Sequence, residues 1–126
     1  MKIRILLLTV LTIYVSCTPK EQLDDFACER DFQSLYDANE RNYDRWMSKP
    51  DSQGNDQSLE ACTNRLHITE NYISLLKENQ AKYFNSNECS SEQATSIIED
   101  YNYRIRQLEE DIENIWSRCE EVFGDG

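Results

Sequence analysis

Five cysteines have the most definite chemistry of any residues in this sequence. With Cys17 set aside, stretches of 33, 26 and 29 residues separate the other four, Cys28, Cys62, Cys89 and Cys119. Zinc sites need close pairs of cysteines, whereas widely spaced cysteines in a small exported domain typically form disulfides. The sequence therefore predicts two disulfides among these four residues and no zinc site.

Two other groups of residues contain potential metal ligands. His67 with Glu70 matches half of a di-metal carboxylate site, but such sites draw ligands from several helices, and this sequence has 1 histidine. Segment 51–56 is rich in side-chain oxygens, but Cys62 stands where an EF-hand loop needs its closing glutamate. We therefore interpret His67 as a surface residue and segment 51–56 as a solvated loop, and we predict no metal and no cofactor.

Carboxylates at Glu109, Glu110, Asp111 and Glu113 are candidates for an acid and a base. On an exposed helical face they would lack the burial that perturbs the pKa of a catalytic group. The single histidine has no identifiable partner, and 3 glycines leave no phosphate-binding loop. The sequence therefore predicts that the protein is not an enzyme.

The formal net charge is −11, from 24 acidic residues against 13 lysines and arginines. This charge opposes binding to nucleic acid and to anionic lipid head groups, but it attracts a basic protein. Residues 91–123 alone contain nine acidic residues and three arginines. Solubility explains such a surface, and a basic partner explains it as well. If a protein partner binds here, we expect its contact to be centred on Glu109, Glu110 and Glu113.

The first 17 residues have the organisation of a signal peptide. Lys2 and Arg4 precede an apolar run from Ile5 to Val15, and Ser16 and Cys17 follow as small residues. The run is too short to cross a membrane as a helix, which takes about 20 residues. The sequence therefore predicts export, with a mature domain that begins near residue 18.

The segment Tyr14-Val15-Ser16-Cys17 resembles the lipid-attachment motif of bacterial lipoproteins. In that family the cysteine thiol carries a diacylglycerol and becomes the mature N-terminus. The resemblance implies that Cys17 is lipidated and that the protein is anchored to a membrane of the bacterial cell envelope. The alternative is ordinary signal-peptidase cleavage after Cys17, which would give a freely secreted protein.

Residues 18–126 contain three helical patterns and no internal repeat. The first is predicted from Pro19 to Ser48, and a polar loop with Pro50 and Gly54 follows over 49–57. Asp56 or Ser58 caps the second helix, and residues 85–87 end it. The third begins at a capping box, Ser90 to Gln93, and ends at Gly124. Apolar residues recur every three or four positions, which predicts an all-α, up-down-up three-helix bundle with coiled-coil-like packing. Those positions are Phe26, Cys28, Phe32, Leu35, Tyr36, Tyr43, Trp46 and Met47; Leu59, Cys62, Leu66, Thr69, Ile73, Leu76, Gln80 and Tyr83; and Ala94, Ile98, Tyr101, Ile105, Leu108, Ile112, Ile115, Cys119 and Val122.

The cysteines also set the register of helices 2 and 3. If Cys62 faces Cys119, residues whose numbers add to 181 lie at the same height, and Leu66 then meets Ile115. The same relation places the turn near residue 90, where the capping box lies. Cys28 must then pair with Cys89, which requires helix 1 to sit lower by one to two turns or the turn to fold back.

These features favour a non-enzymatic protein-interaction module of the cell envelope, such as an inhibitor, an immunity factor or an assembly accessory. The alternative is a carrier of a small hydrophobic or metal ligand between the helices. Asn39, Thr69 and Gln80 are the polar residues that could line such a cavity. Tyr36, Tyr72 and Tyr103 lie near the edges of the apolar seams that these recurring positions form, and they are candidates for an interface.

Overall fold

The computed structural model describes residues 26–48 and 58–124. These residues form three helices, α1 (Ala27–Met47), α2 (Leu59–Phe84) and α3 (Ser91–Phe123). α2 and α3 form an antiparallel hairpin with the most extensive contact, and α1 packs beside it. The predicted all-α, up-down-up bundle is confirmed for this part of the chain. The predicted signal peptide with Cys17, the first turns of helix 1 and the loop 49–57 lie outside the described residues.

The predicted ends of α2 and α3 are confirmed by their caps. Ser58 Oγ accepts a hydrogen bond from the Ala61 backbone N–H at 3.1 Å. Ser90 and Gln93 form the full capping box, with reciprocal bonds of 3.1 and 3.0 Å. Gly124 ends α3 with a φ of −74°, so this cap is right-handed and does not use the left-handed freedom of glycine.

The seam between α2 and α3 is aliphatic and buried. Leu76 and Leu108 are fully buried, and Leu66 and Ile115 share a smaller cluster with the Cys62–Cys119 bridge. Three predicted contacts are wrong at the helix ends, because no helix among the described residues covers Phe26, Leu59 and Val122, which are more than half exposed. Trp46 of α1 is also half exposed. In the first turns of α3, Ile97 is buried where Ile98 was predicted, because Ile97 packs in the cluster that contains Cys28 and Phe32 of α1.

Both predicted disulfides are confirmed. Cys62 and Cys119 bridge α2 and α3 with their Cα atoms 5.9 Å apart, and Cys28 and Cys89 tie α1 to the α2–α3 turn with Cα atoms 5.2 Å apart. Hydrogen-bonded pairs between α1 and α2 have residue numbers that add to 112, as in Tyr43 with Thr69. This register places Cys28 level with the end of α2, beside the turn that carries Cys89. The two disulfides indicate an oxidising, non-cytoplasmic location.

Aromatic rings fill the space between the first half of α1 and the hairpin. The Phe32 ring lies edge-on to Tyr83 and to Tyr101, with centroid distances of 6.0 and 5.4 Å. Tyr36 lies against Phe32 at 5.4 Å and against Tyr101 at 5.8 Å. Burial raises the pKa of Tyr36, Tyr83 and Tyr101, so these rings remain neutral where α1 meets the hairpin.

A polar network holds the second half of α1. The Glu40 carboxylate accepts hydrogen bonds from Arg104 Nε at 2.8 Å, from Arg104 Nη2 at 3.0 Å and from the Tyr72 hydroxyl at 2.8 Å. Tyr72 stacks on Tyr43 at 4.5 Å, and the Tyr43 hydroxyl lies 3.1 Å from that of Thr69. Burial lowers the pKa of Arg104, but the hydrogen bond and charge of Glu40 outweigh it and leave that pKa raised. One carboxylate of α1 is therefore bonded to both other helices.

Candidate functional site

The three acidic residues predicted to bind a partner all lie on the exposed surface of α3. Glu109, Glu110 and Glu113 are exposed, whereas Leu108 and Ile115 of the same helix are buried. Glu109 Oε1 lies 3.9 Å from Lys77 Nζ of α2, and both side chains are more than half exposed. Such a pair contributes little energy and leaves most of the negative charge in place. A role for these residues in partner binding stays a prediction.

A groove of about 370 Å³ lies between α2 and α3, on the side of α3 that carries Glu109 and Glu113, and we call it the α2–α3 groove. Trp116 forms part of its wall and is 49% exposed. Glu109, Glu113 and Trp116 are four and three residues apart, so they lie along one stripe of α3. The groove thus combines an exposed aromatic side chain with negative charge. Its lining residues are Thr63, Leu66, His67, Glu70, Ile112 and Trp116.

His67 lies on the rim of this groove as the surface residue that the sequence predicts. Its Nδ1 atom is 3.3 Å from Glu70 Oε2, and the two side chains are 72% and 56% exposed. A pair this open to water does not have the buried environment that tunes a catalytic base. His67 and Glu70 therefore form an ordinary i, i+3 surface pair.

A second groove of about 370 Å³ lies between α1 and α2, and we call it the α1–α2 groove. Trp46 and Leu75 are the more exposed side chains of its rim, at 52% and 39%. Its walls contain aromatic, aliphatic and amide side chains and no formally charged residue. The lining residues are Asn39, Asn42, Tyr43, Trp46, Ile68, Asn71, Tyr72 and Leu75.

A third depression lies near the end of α1, and both charged and apolar side chains line it. Arg65 and Arg118 line it together with Asp111, so charges of both signs lie side by side. The lining thus carries two positive charges and one negative charge.

Only one of the three residues predicted to line a ligand cavity lies at a groove. Thr69 is fully buried and bonded to Tyr43 and to the Arg65 carbonyl oxygen at 2.9 Å. Gln80 Nε2 donates to the Ile98 carbonyl oxygen at 3.0 Å and to Asn102 Oδ1 at 2.7 Å. Both side chains thus serve contacts between or within helices, whereas Asn39 lines the α1–α2 groove.

The tyrosines predicted at an interface separate into three environments. Tyr72 is buried and bonded to Glu40, Tyr36 is half-buried in the aromatic cluster, and Tyr103 is exposed. The helical periods in the sequence do not mark Trp46 and Trp116 as groove residues. For Trp116 a signal was present, because this residue falls between the seam positions Ile115 and Cys119 and follows Glu113 by three.

The described residues contain neither a membrane-spanning segment nor a metal site. None of α1, α2 and α3 combines the length and the apolar character that a membrane span requires. Within 26–48 and 58–124, no three His, Cys, Asp or Glu residues converge so as to hold a metal ion. No protein-family model, curated protein or solved structure matches this chain.

Proposed function

We propose that this protein is a non-enzymatic interaction module that binds a basic protein outside the cytoplasm. The observation that carries the proposal is the stripe of α3 in which Glu109 and Glu113 lie beside the half-exposed Trp116 at an apolar groove. Interfaces commonly combine an aromatic anchor with charges around it. The anchor supplies affinity, and the charges steer the partner and raise its association rate.

The sign of the charge selects the class of partner. α3 carries nine acidic residues against three arginines, and the chain has a net charge of −11. Polyphosphate surfaces such as nucleic acids are repelled by such a helix. A protein with lysines or arginines around an apolar contact would complement both features of the α2–α3 groove. An inhibitor, an immunity factor or an assembly accessory would use a surface of this kind.

The proposed location is the bacterial cell envelope. Two disulfides support a compartment that is oxidising. The finer part of the proposal is that the N-terminal segment directs export and that Cys17 carries a lipid anchor to the membrane. Replacing Cys17 with Ser should then release the protein from membranes without unfolding the bundle. If Cys17→Ser remains membrane-bound like the wild type, the anchor is not at this residue.

The binding proposal is tested by capture from envelope extract followed by kinetics with the captured protein. A Glu109→Lys, Glu113→Lys pair should lower the association rate at low salt and flatten its dependence on ionic strength. Trp116→Ala should instead raise the dissociation rate, because it removes the aromatic anchor.

The matched control is Glu78→Lys with Glu99→Lys. Both residues are exposed and lie towards the opposite end of the hairpin, so the pair makes the same change in net charge away from the groove. The control pair should lower the association rate with the partner far less than the Glu109, Glu113 pair does. Equal losses in the two pairs would show that net charge alone governs the interaction and would contradict a specific surface.

A further inference from the structure

The α1–α2 groove differs from the rest of this acidic molecule in being uncharged. We propose that it binds a small, uncharged, largely apolar molecule that carries a hydrogen-bond acceptor such as a carbonyl oxygen. The site lies on the opposite side of α2 from the α2–α3 groove, and the inference goes beyond the proposed function. Its volume of about 370 Å³ is within the range of small-molecule sites, roughly 300–1,000 Å³.

The composition of the lining selects an uncharged ligand. In a chain where 29% of residues are charged, none of the eight lining residues is Asp, Glu, Lys, Arg or His. Burial raises the pKa of Tyr43 and of Tyr72, so both hydroxyls stay neutral as well. An ionised ligand would lose hydration against this lining without meeting an opposite charge among the eight lining residues. An apolar ligand would lie against Trp46, Ile68 and Leu75 and would give up no charge hydration.

Asn39 supplies the reason to expect an acceptor on the ligand. Its side chain is 9% exposed and lines the groove, whereas Trp46 and Leu75 at the rim are far more exposed, so Asn39 belongs to the floor. Its Nδ2 atom is buried and finds no acceptor among the described residues. A buried donor without an acceptor destabilises the folded protein. A ligand carbonyl that reaches the Asn39 amide at the floor would accept this hydrogen bond, and an apolar ligand without a carbonyl would not.

The walls of the groove are held before any ligand arrives. The Tyr43 and Tyr72 rings stack at 4.5 Å with an interplanar angle of 12°. Tyr43 is bonded to Thr69, and Tyr72 is bonded to Glu40, which Arg104 holds in turn. Fixed walls lower the entropic cost of binding. Two rigid rings therefore form a preorganised surface below the Trp46 rim.

Three fluorescent probes test the proposed chemistry with the folded protein. Prodan is uncharged and carries a carbonyl oxygen, phenylnaphthylamine is uncharged without a carbonyl, and anilinonaphthalenesulfonate is an anionic analogue of the second. We expect prodan to bind best and the sulfonate worst. If the sulfonate binds as tightly as prodan, the groove does not select uncharged ligands and the proposal fails.

Two substitutions locate the site. Leu75→Gln should weaken the binding of prodan about tenfold, because it replaces an apolar side chain in the wall with a polar one. Leu59→Gln is the matched control, the same change at an exposed position of α2 outside the groove, and should leave binding unchanged. Asn39→Leu should weaken the binding of prodan about fivefold and leave the binding of phenylnaphthylamine unchanged. Equal effects on both probes would contradict the hydrogen bond.

The 2 tryptophans provide a second readout, because each groove contains one of them. In Trp116→Phe, energy transfer to prodan comes from Trp46 alone, and in Trp46→Phe it comes from Trp116 alone. Transfer from Trp46 should be the more efficient, and greater transfer from Trp116 would overturn the assignment. Sedimentation at the same protein concentrations measures the oligomeric state. A dimer that Leu75→Gln dissociates would show that a second copy of the chain covers the groove, and it would contradict the small-molecule site.

Discussion

The contact between α2 and α3 differs in kind from the contact that holds α1. Along the hairpin, aliphatic side chains such as Leu76 and Leu108 are fully buried in a seam that repeats every three or four residues. α1 is held by rings around Phe32 and by the bonds of Glu40 to Arg104 and Tyr72. The hairpin thus distributes its stability over many similar contacts. The attachment of α1 depends on a few specific groups, which can be removed or ionised one at a time.

Alkaline pH should separate the two regions most strongly. Tyrosines whose pKa lies above the usual 10.0, mainly because of burial, concentrate where α1 meets the hairpin: Tyr36, Tyr43, Tyr72, Tyr83 and Tyr101. Above pH 10 an unfolded tyrosine loses its proton while a folded one keeps it, so the free energy of unfolding falls as the pH rises. A buried tyrosine of this group removes up to about 1.4 kcal/mol per pH unit until its folded pKa is reached, and the partly exposed Tyr36 removes less because water screens it. The stability that these tyrosines contribute should therefore be fully present below about pH 10 and decline above it.

Single-tryptophan variants report which region yields first at high pH. Trp46 lies on α1 and Trp116 on α3, so Trp116→Phe and Trp46→Phe give one reporter each. As phenolate absorbance rises, we expect the fluorescence of Trp46 to change at a lower pH than that of Trp116. Coincident changes would show that α1 and the hairpin unfold as one unit and would remove the distinction between them.

Removing each disulfide in turn should give the next largest effects. The Cys62–Cys119 bridge spans 57 residues and the Cys28–Cys89 bridge spans 61, and each is worth about 4 kcal/mol on a chain-entropy account. Cys28→Ser with Cys89→Ser should leave the hairpin amides protected from hydrogen exchange while those of α1 lose protection. Cys62→Ser with Cys119→Ser should lower protection throughout the hairpin. The same exchange pattern in both variants would contradict this division.

A truncation in the seam tests the aliphatic side of the comparison. Leu108 is fully buried, so Leu108→Ala should lower the free energy of unfolding by about 3 kcal/mol through lost burial and a cavity. Val122→Ala is the control, since Val122 fits the same sequence period but is 62% exposed, and it should cost less than about 0.5 kcal/mol. Urea unfolding curves measure both. A large cost at Val122 would show that the last turn of α3 is buried in solution.

The aliphatic seam could be predicted from the sequence because burial follows the helical period. Leu66, Ile73, Leu76, Ile105 and Leu108 all lie in the core that the period indicates. The cap at Ser90 and the pairing of Cys62 with Cys119 were predicted by independent arguments that converge on one register. Local rules thus sufficed wherever two helices meet along their whole length.

The attachment of α1 could not be predicted in this way. Glu40 is polar and follows no apolar period, so only the three-dimensional structure shows that it meets Arg104, 64 residues later, and Tyr72. The sequence places Tyr72 near the seam edge as a candidate for an interface, but α1 covers it. The two grooves could not be predicted from the sequence for the same reason. A groove depends on which helix sides remain uncovered, and the position of α1 decides this.

Neutralising Glu40 should have the smallest effect and tests the polar side of the comparison. Glu40→Gln keeps an oxygen that can accept from Tyr72 but removes the negative charge opposite Arg104. The Arg104 and Glu40 side chains are 20% and 24% exposed, so water partly screens the pair and we expect a cost of about 1 to 2 kcal/mol. A double-mutant cycle with Arg104→Met, measured by urea unfolding, isolates the coupling between the two residues. A coupling near zero would show that the aromatic cluster and the Cys28–Cys89 bridge hold α1 without this ion pair. A cost above that of Leu108→Ala would reverse the ranking, because one charged contact would then outweigh the aliphatic seam.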